Sequence, residues 1–145
     1  MVDGAGSAPG FELELGPSGA VVRYLSAVTL EGIGRAATAL GAHPDFRPDL
    51  PTVWDFSAAA SSSGLHSDDM RRLAREVAPI REGGGRPRVA IVTPDDANFA
   101  GARMFGGVNE ARLSVSLGVF RDGEKARRWA FDEAPGAGID PVDES

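Results

Sequence analysis

Residues able to do chemistry at neutral pH are scarce in this chain. It has no Cys and two His, His43 and His66, among 145 residues. The missing Cys excludes disulfides, thiolate metal sites and cysteine nucleophiles. A hydrolase relay needs a Ser, a His and an acid brought together. His66 stands beside Ser67, Asp68 and Asp69, but neighbours at a helix start do not have relay geometry. Ser67 reads as a helix cap there, and the two acids complement the positive end of the helix dipole. There is no Gly-x-Ser-x-Gly elbow, and the two His have no ligand spacing for a metal. Gly83-Gly84-Gly85 precedes a strand instead of opening a helix, and no Gly-x-x-x-x-Gly-Lys-Ser/Thr run occurs, so no phosphate cradle is expected. The expectation is a non-enzyme without metal or cofactor.

Three groups remain as binding candidates. Ser61, Ser62 and Ser63 lie in a Ser/Ala loop, Ser57 to Gly64, that follows Asp55. Such loops also form simply because small residues turn easily. Arg71, Arg72, Arg75, Arg81, Arg86 and Arg88 form one basic group, and Arg121, Lys125, Arg127 and Arg128 a second. They read as solvated faces with local ion pairs, or as contacts for an anionic partner or lipid headgroup. The anion candidates are Arg71, Arg72 and, further on, Arg103. Phe99, Met104 and Phe105 suit core packing, or an apolar pocket, because Met and Phe adapt to varied surfaces.

The elements that position these groups follow from periodicity. Phe11, Leu13 and Leu15 alternate with Glu12 and Glu14, a strand with one buried face. Gly16-Pro17-Ser18-Gly19 turns the chain into a second strand at Val21–Leu25, giving an antiparallel hairpin. Thr29 caps a helix with Leu30, Ile33, Ala37 and Leu40 on one face, and Gly41 stands where helices commonly close. Strands are expected at Thr52–Phe56, Val89–Val92 and Leu113–Phe120. Helices are expected after Ser67, after Asp95 or Asp96, and after Asp122. Strands alternating with helices imply crossovers and a largely parallel sheet. The expected fold class is therefore α/β: a single domain with a mixed five-stranded sheet and about four helices. Residues 1–10 read as a disordered lead-in, 11–132 as the domain, and 133–145 as a flexible acidic tail.

Charge and composition narrow the partners. Hydrophobic residues are 42% and charged residues 25%, which suits a globular domain. A net charge of −6 weighs against nucleic acid, whose binding is driven by phosphate neutralisation. No transmembrane segment or secretory signal is read from the apolar runs. The cytoplasm is the expected location, because a Cys-free chain suits a reducing compartment.

Several local motifs carry a resemblance. They are His43-Pro44-Asp45-Phe46 before Val53-Trp54-Asp55-Phe56, Ser67-Asp68-Asp69 opening a helix, and Val89-Ala90-Ile91-Val92. Ala102-Arg103-Met104-Phe105, Val119-Phe120-Arg121-Asp122 and Ala126 to Trp129 complete the set. Across residues 11 to 131 the chain resembles the bacterial STAS-like family, small proteins grouped with anti-anti-sigma factors and lipid-transfer CRAL-TRIO domains. In anti-anti-sigma factors a strand ending in Asp leads to an Asp-Ser-Ser-Gly loop, whose first serine is phosphorylated. The resemblance puts Ser62 at that position and Ser61 at the motif's Asp, so the motif's acid is missing and the loop is shorter. It implies a regulatory or sensing domain that acts through protein contact around residues 57–70. The lipid-transfer branch implies an alternative: a carrier or sensor of a small apolar ligand near Phe99, Met104 and Phe105. The partner protein is unidentified, and a homodimer through an exposed edge strand at the hairpin is a further expectation.

Overall fold

The structure, a computed structural model, describes residues 5–8, 10–27, 29–59, 67–94, 100, 102–103 and 115–131. Its strands are β1 (Ala5–Ala8), β2 (Phe11–Gly16), β3 (Gly19–Tyr24), β4 (Thr52–Asp55), β5 (Arg88–Val92) and β6 (Ser116–Phe120). Its helices are α1 (Leu30–Ala42), α2 (Ser67–Val77), followed by a 3-10 turn at Ala78–Arg81, and α3 (Gly123–Phe131).

The alternating pattern of β2 does what its period demands. Phe11 and Leu13 are buried, while Glu12 and Glu14 face solvent. Gly16 and Gly19 close the hairpin to β3. From β3 onward every pairing is parallel, and the sheet runs in the order β1-β2-β3-β4-β5-β6. The mixed sheet is as expected, with one strand more. That strand, β1, pairs antiparallel with β2 and lies in the segment read as a lead-in. Poor strand formers such as Ala-Gly-Ser-Ala give no periodic signal, which is why it was missed. The outer edge of the sheet is therefore β1 and not the β2–β3 hairpin, which corrects the edge assumed for a homodimer.

Helices cover both faces. Ala36 and Leu40 of α1 pack on Phe11, Leu13, Val22 and Tyr24, and α2 lies beside α1. On the opposite face Ala126 and Ala130 of α3 pack on Val21, Val53, Ala90, Val92 and Phe120. Two covered faces explain the continuous apolar run Val89–Val92 of β5. The helix starts follow their caps. Thr29 Oγ1 accepts from Gly32 N–H at 3.0 Å, and Asp122 Oδ1 accepts from Glu124 N–H at 3.1 Å.

Two details differ from expectation. Three α-helices are described against about four; Ala100, Ala102 and Arg103 are helical, but most of the segment between β5 and β6 lies outside the described residues. Gly41 does not terminate α1, which runs to Ala42 with His43 extended beyond it (φ −68°, ψ 137°). Gly41 instead allows close packing: a Cβ there would meet Ile80 Cγ2 at 2.7 Å.

Candidate functional site

The carboxyl ends of β4, β5 and β6 lie side by side, and the candidate loop leaves from them. Asp55 ends β4, and its Oδ1 accepts from Ser57 N–H at 2.9 Å, a short polar turn. Phe56 N–H donates to Val92 O at 2.8 Å, and Ala59 N–H to Phe56 O at 3.0 Å. The exit of the chain from the sheet is thus fixed by its own backbone. Ser61, Ser62 and Ser63 lie outside the described residues, and α2 begins at Ser67.

Thr93 joins this edge and went unnoticed in the sequence. Its N–H donates to Phe120 O at 2.9 Å. It is 1% exposed, and its hydroxyl has no hydrogen-bond partner among the described residues. A Thr between a buried strand and Pro94 carries no local signal for such a position. Arg121 reaches the same corner, donating from Nη1 to Pro94 O at 3.2 Å.

Aromatic rings gather beneath the edge. The rings of Tyr24 and Phe56 lie 5.3 Å apart, and those of Trp54 and Phe56 stack at 6.2 Å. Tyr24 is buried and its hydroxyl donates to Ala27 O at 3.1 Å, whereas Trp54 and Phe56 are half-buried. Phe99, Met104 and Phe105 lie outside the described residues.

The basic residues divide. Arg72 pairs with Glu76 at 3.7 Å with both side chains exposed, a solvated pair worth a few tenths of a kcal/mol. Arg71 is half-buried on the same helix, and Arg103 is exposed on its own helical turn. Arg81 and Arg88 overturn the reading of a solvated face. Arg81 is 4% exposed. It donates to Pro48 O at 3.1 Å, Leu50 O at 2.8 Å and Thr52 Oγ1 at 2.9 Å, and lies 5.0 Å over the ring of Phe46. Burial lowers its pKa to about 10, with Asp49 opposing the shift. Arg88 donates to Trp129 O at 2.7 Å and lies over that ring at 5.3 Å, so it holds α3 to the sheet.

His43 follows α1, and its Nδ1 accepts from Asp45 N–H at 3.1 Å; His66 lies outside the described residues. Among the described residues, no group of three or more His, Asp or Glu could hold a metal ion. Among them, too, no helix is long and apolar enough to cross a membrane.

No protein-family model matches this chain, and no curated protein matches it. A solved structure does. It is the crystal structure of an uncharacterized protein of the DUF3478 family from Shewanella loihica PV-4, described as having a SpoIIAA-like fold. The two align with a TM-score of 0.51 over 90% of this chain and 96% of that one, at 15% identity. The fold is SpoIIAA-like. Identity this low carries architecture and no residue role. The SpoIIAA-like, that is STAS-like, fold agrees with the strand and helix order read from the sequence. The name of the neighbour assigns neither of them an activity.

Proposed function

We propose that this chain is a non-enzymatic regulatory or sensing domain that acts by protein contact, with residues 57–70 as its contact surface. The observation that supports this reading is the fixed exit at Asp55. Its carboxylate locks the turn at Ser57, so the loop starts from a rigid rim formed by the carboxyl ends of parallel strands. Loops on rigid scaffolds are where α/β folds place recognition. The helix after the loop opens with Ser67-Asp68-Asp69. A phosphate added at Ser62 would bring close to two further negative charges to the loop that precedes these acids in the chain, enough to repel or recruit a partner. The test is affinity capture from the native cell with wild-type protein and Ser62→Asp at equal folded concentration. The reading expects the set of captured proteins to change while thermal stability stays nearly the same. Identical partners for both forms would count against it.

A second reading, a carrier or sensor of a small apolar ligand, is favoured by one observation. The stacked Trp54 and Phe56 rings are left half-covered at the carboxyl edge of the sheet, where apolar ligands are commonly received. Native mass spectrometry of protein purified from its own host decides this: a co-purifying lipid supports the carrier, and a bare mass removes it.

A further inference from the structure

The strand β1 is a weak occupant of a strong template. β2 is anchored by the buried Phe11 and Leu13 and by full pairing with β3. Its other edge is covered by Ala5–Ala8, an Ala-Gly-Ser-Ala sequence with low strand propensity and no side chain larger than a hydroxyl. The connection is two residues, Pro9 and Gly10, and it needs Gly10 at φ +97°. Cross-strand side-chain pairs supply much of the stability of a sheet, and the residue types of β1 offer little with which to make them.

The register shows what is missing. Glu12 and Glu14 are both exposed on one face of β2. Opposite them on β1 stand Ser7 and Ala5, neither of which carries a positive charge. On the other side Glu12 meets Arg23 at 3.2 Å, but Glu14 faces Val21 and has no ion pair among the described residues. Two carboxylates at i and i+2 on one strand face call for cations at alternate positions on the neighbouring strand.

We propose that the outer edge of β2 is a docking edge for an extended segment of a partner protein carrying Lys or Arg at alternate positions, which adds as an antiparallel strand in place of β1. Recognition of this kind draws affinity from main-chain hydrogen bonds and specificity from alternate side chains. Tethering gives β1 a high effective concentration, so the partner must win through the Glu12 and Glu14 pairs that β1 cannot make. This surface is separate from the loop at 57–70 and does not depend on the role proposed for it.

The alternation of bonded pairs supplies an atomic readout. In the β2–β3 hairpin the closing pair Gly16–Gly19 assigns the amides of Glu12 and Glu14 to β3, leaving those of Phe11 and Leu13 for the outer edge. The probe is a labelled peptide, acetyl-Ser-Lys-Val-Lys-Val-Lys-Ser-amide, titrated into the full chain at low salt by fluorescence anisotropy, with amide exchange measured by NMR. Gly6→Pro, which removes a donor from β1, should speed exchange at Phe11 and Leu13 and tighten peptide binding several-fold. Added peptide should restore their protection and leave Glu12 and Glu14 unchanged. Glu12→Lys/Glu14→Lys should weaken binding roughly tenfold, from two cross-strand charge pairs. Ala5→Lys/Ser7→Lys should also weaken it, by making β1 the better strand, and this variant stands if the charge reversal fails to fold. Equal binding by the same peptide with both Val replaced by Pro would overturn the proposal, since it keeps the charge but loses the donors. Protection of Phe11 and Leu13 that rises with protein concentration and not with peptide would also overturn it, because a second copy would then be the occupant.

Discussion

At the scale of single residues, the largest departure from the sequence reading is Arg81. A run of arginines near α2 reads as a solvated face, yet three acceptors and the Phe46 ring surround this one. Nothing in the local spacing distinguishes it from Arg72; its partners lie about thirty residues upstream, in the Pro48–Thr52 segment, and only the fold brings them together. Replacing it with Met should cost about 3 kcal/mol, because buried carbonyls lose their donors. Arg81→Lys should recover part of that and lose the forked geometry. The lowered pKa sets the sign of any pH effect. The folded state holds this proton less tightly than the unfolded chain, so above about pH 10 the unfolded state binds more protons and stability gains as pH rises towards the ordinary arginine range. Below that window both states are protonated. The Arg81→Met penalty should therefore be flat between about pH 6 and pH 9 in urea titrations. Thr93 gives the opposite expectation. Its hydroxyl is buried with no hydrogen-bond partner among the described residues, so Thr93→Val should be neutral or stabilise by up to about 1 kcal/mol. A clear loss of melting temperature would show that the hydroxyl is engaged.

At the scale of elements, the sequence was most legible where a side chain answers a backbone need. Thr29, a cap by its place in the sequence, caps α1, and Asp122, where a helix is expected to start, caps α3. Thr29→Ala should cost about 1 kcal/mol, measured by denaturant unfolding. Gly41 was misread because a glycine near a helix end has two explanations, termination and close approach, and composition cannot separate them. Contact with Ile80 decides for the second. A double-mutant cycle checks this: Gly41→Ala alone should destabilise, and Ile80→Ala in the same chain should relieve much of that specific cost, leaving a coupling of about 1 kcal/mol. β1 was missed because pairing with an existing strand needs no periodicity of its own. The candidate site was legible only in part: Trp54, Asp55 and Phe56 follow one another at the end of an expected strand, but Thr93 reaches that strand end only through the non-local pairing of β4 with β5.

At the scale of the whole molecule, the sheet explains why so much architecture and so little chemistry could be read. Its parallel strands are buried on both faces by helices, so most apolar positions are committed to packing. What remains for function is the rim and the edges. The measurement that tests the central claim most directly is site-specific photo-crosslinking in the native cell. A benzophenone side chain would be placed in turn at Ala58, Ser62 and Arg72, with Thr38 and Glu124 as exposed controls on α1 and α3. The account predicts one protein partner captured from the first three positions and not from the controls, with capture altered by Ser62→Asp. Capture from the controls alone, or no protein adduct at Ala58 and Ser62 beside a co-purifying lipid, would contradict it.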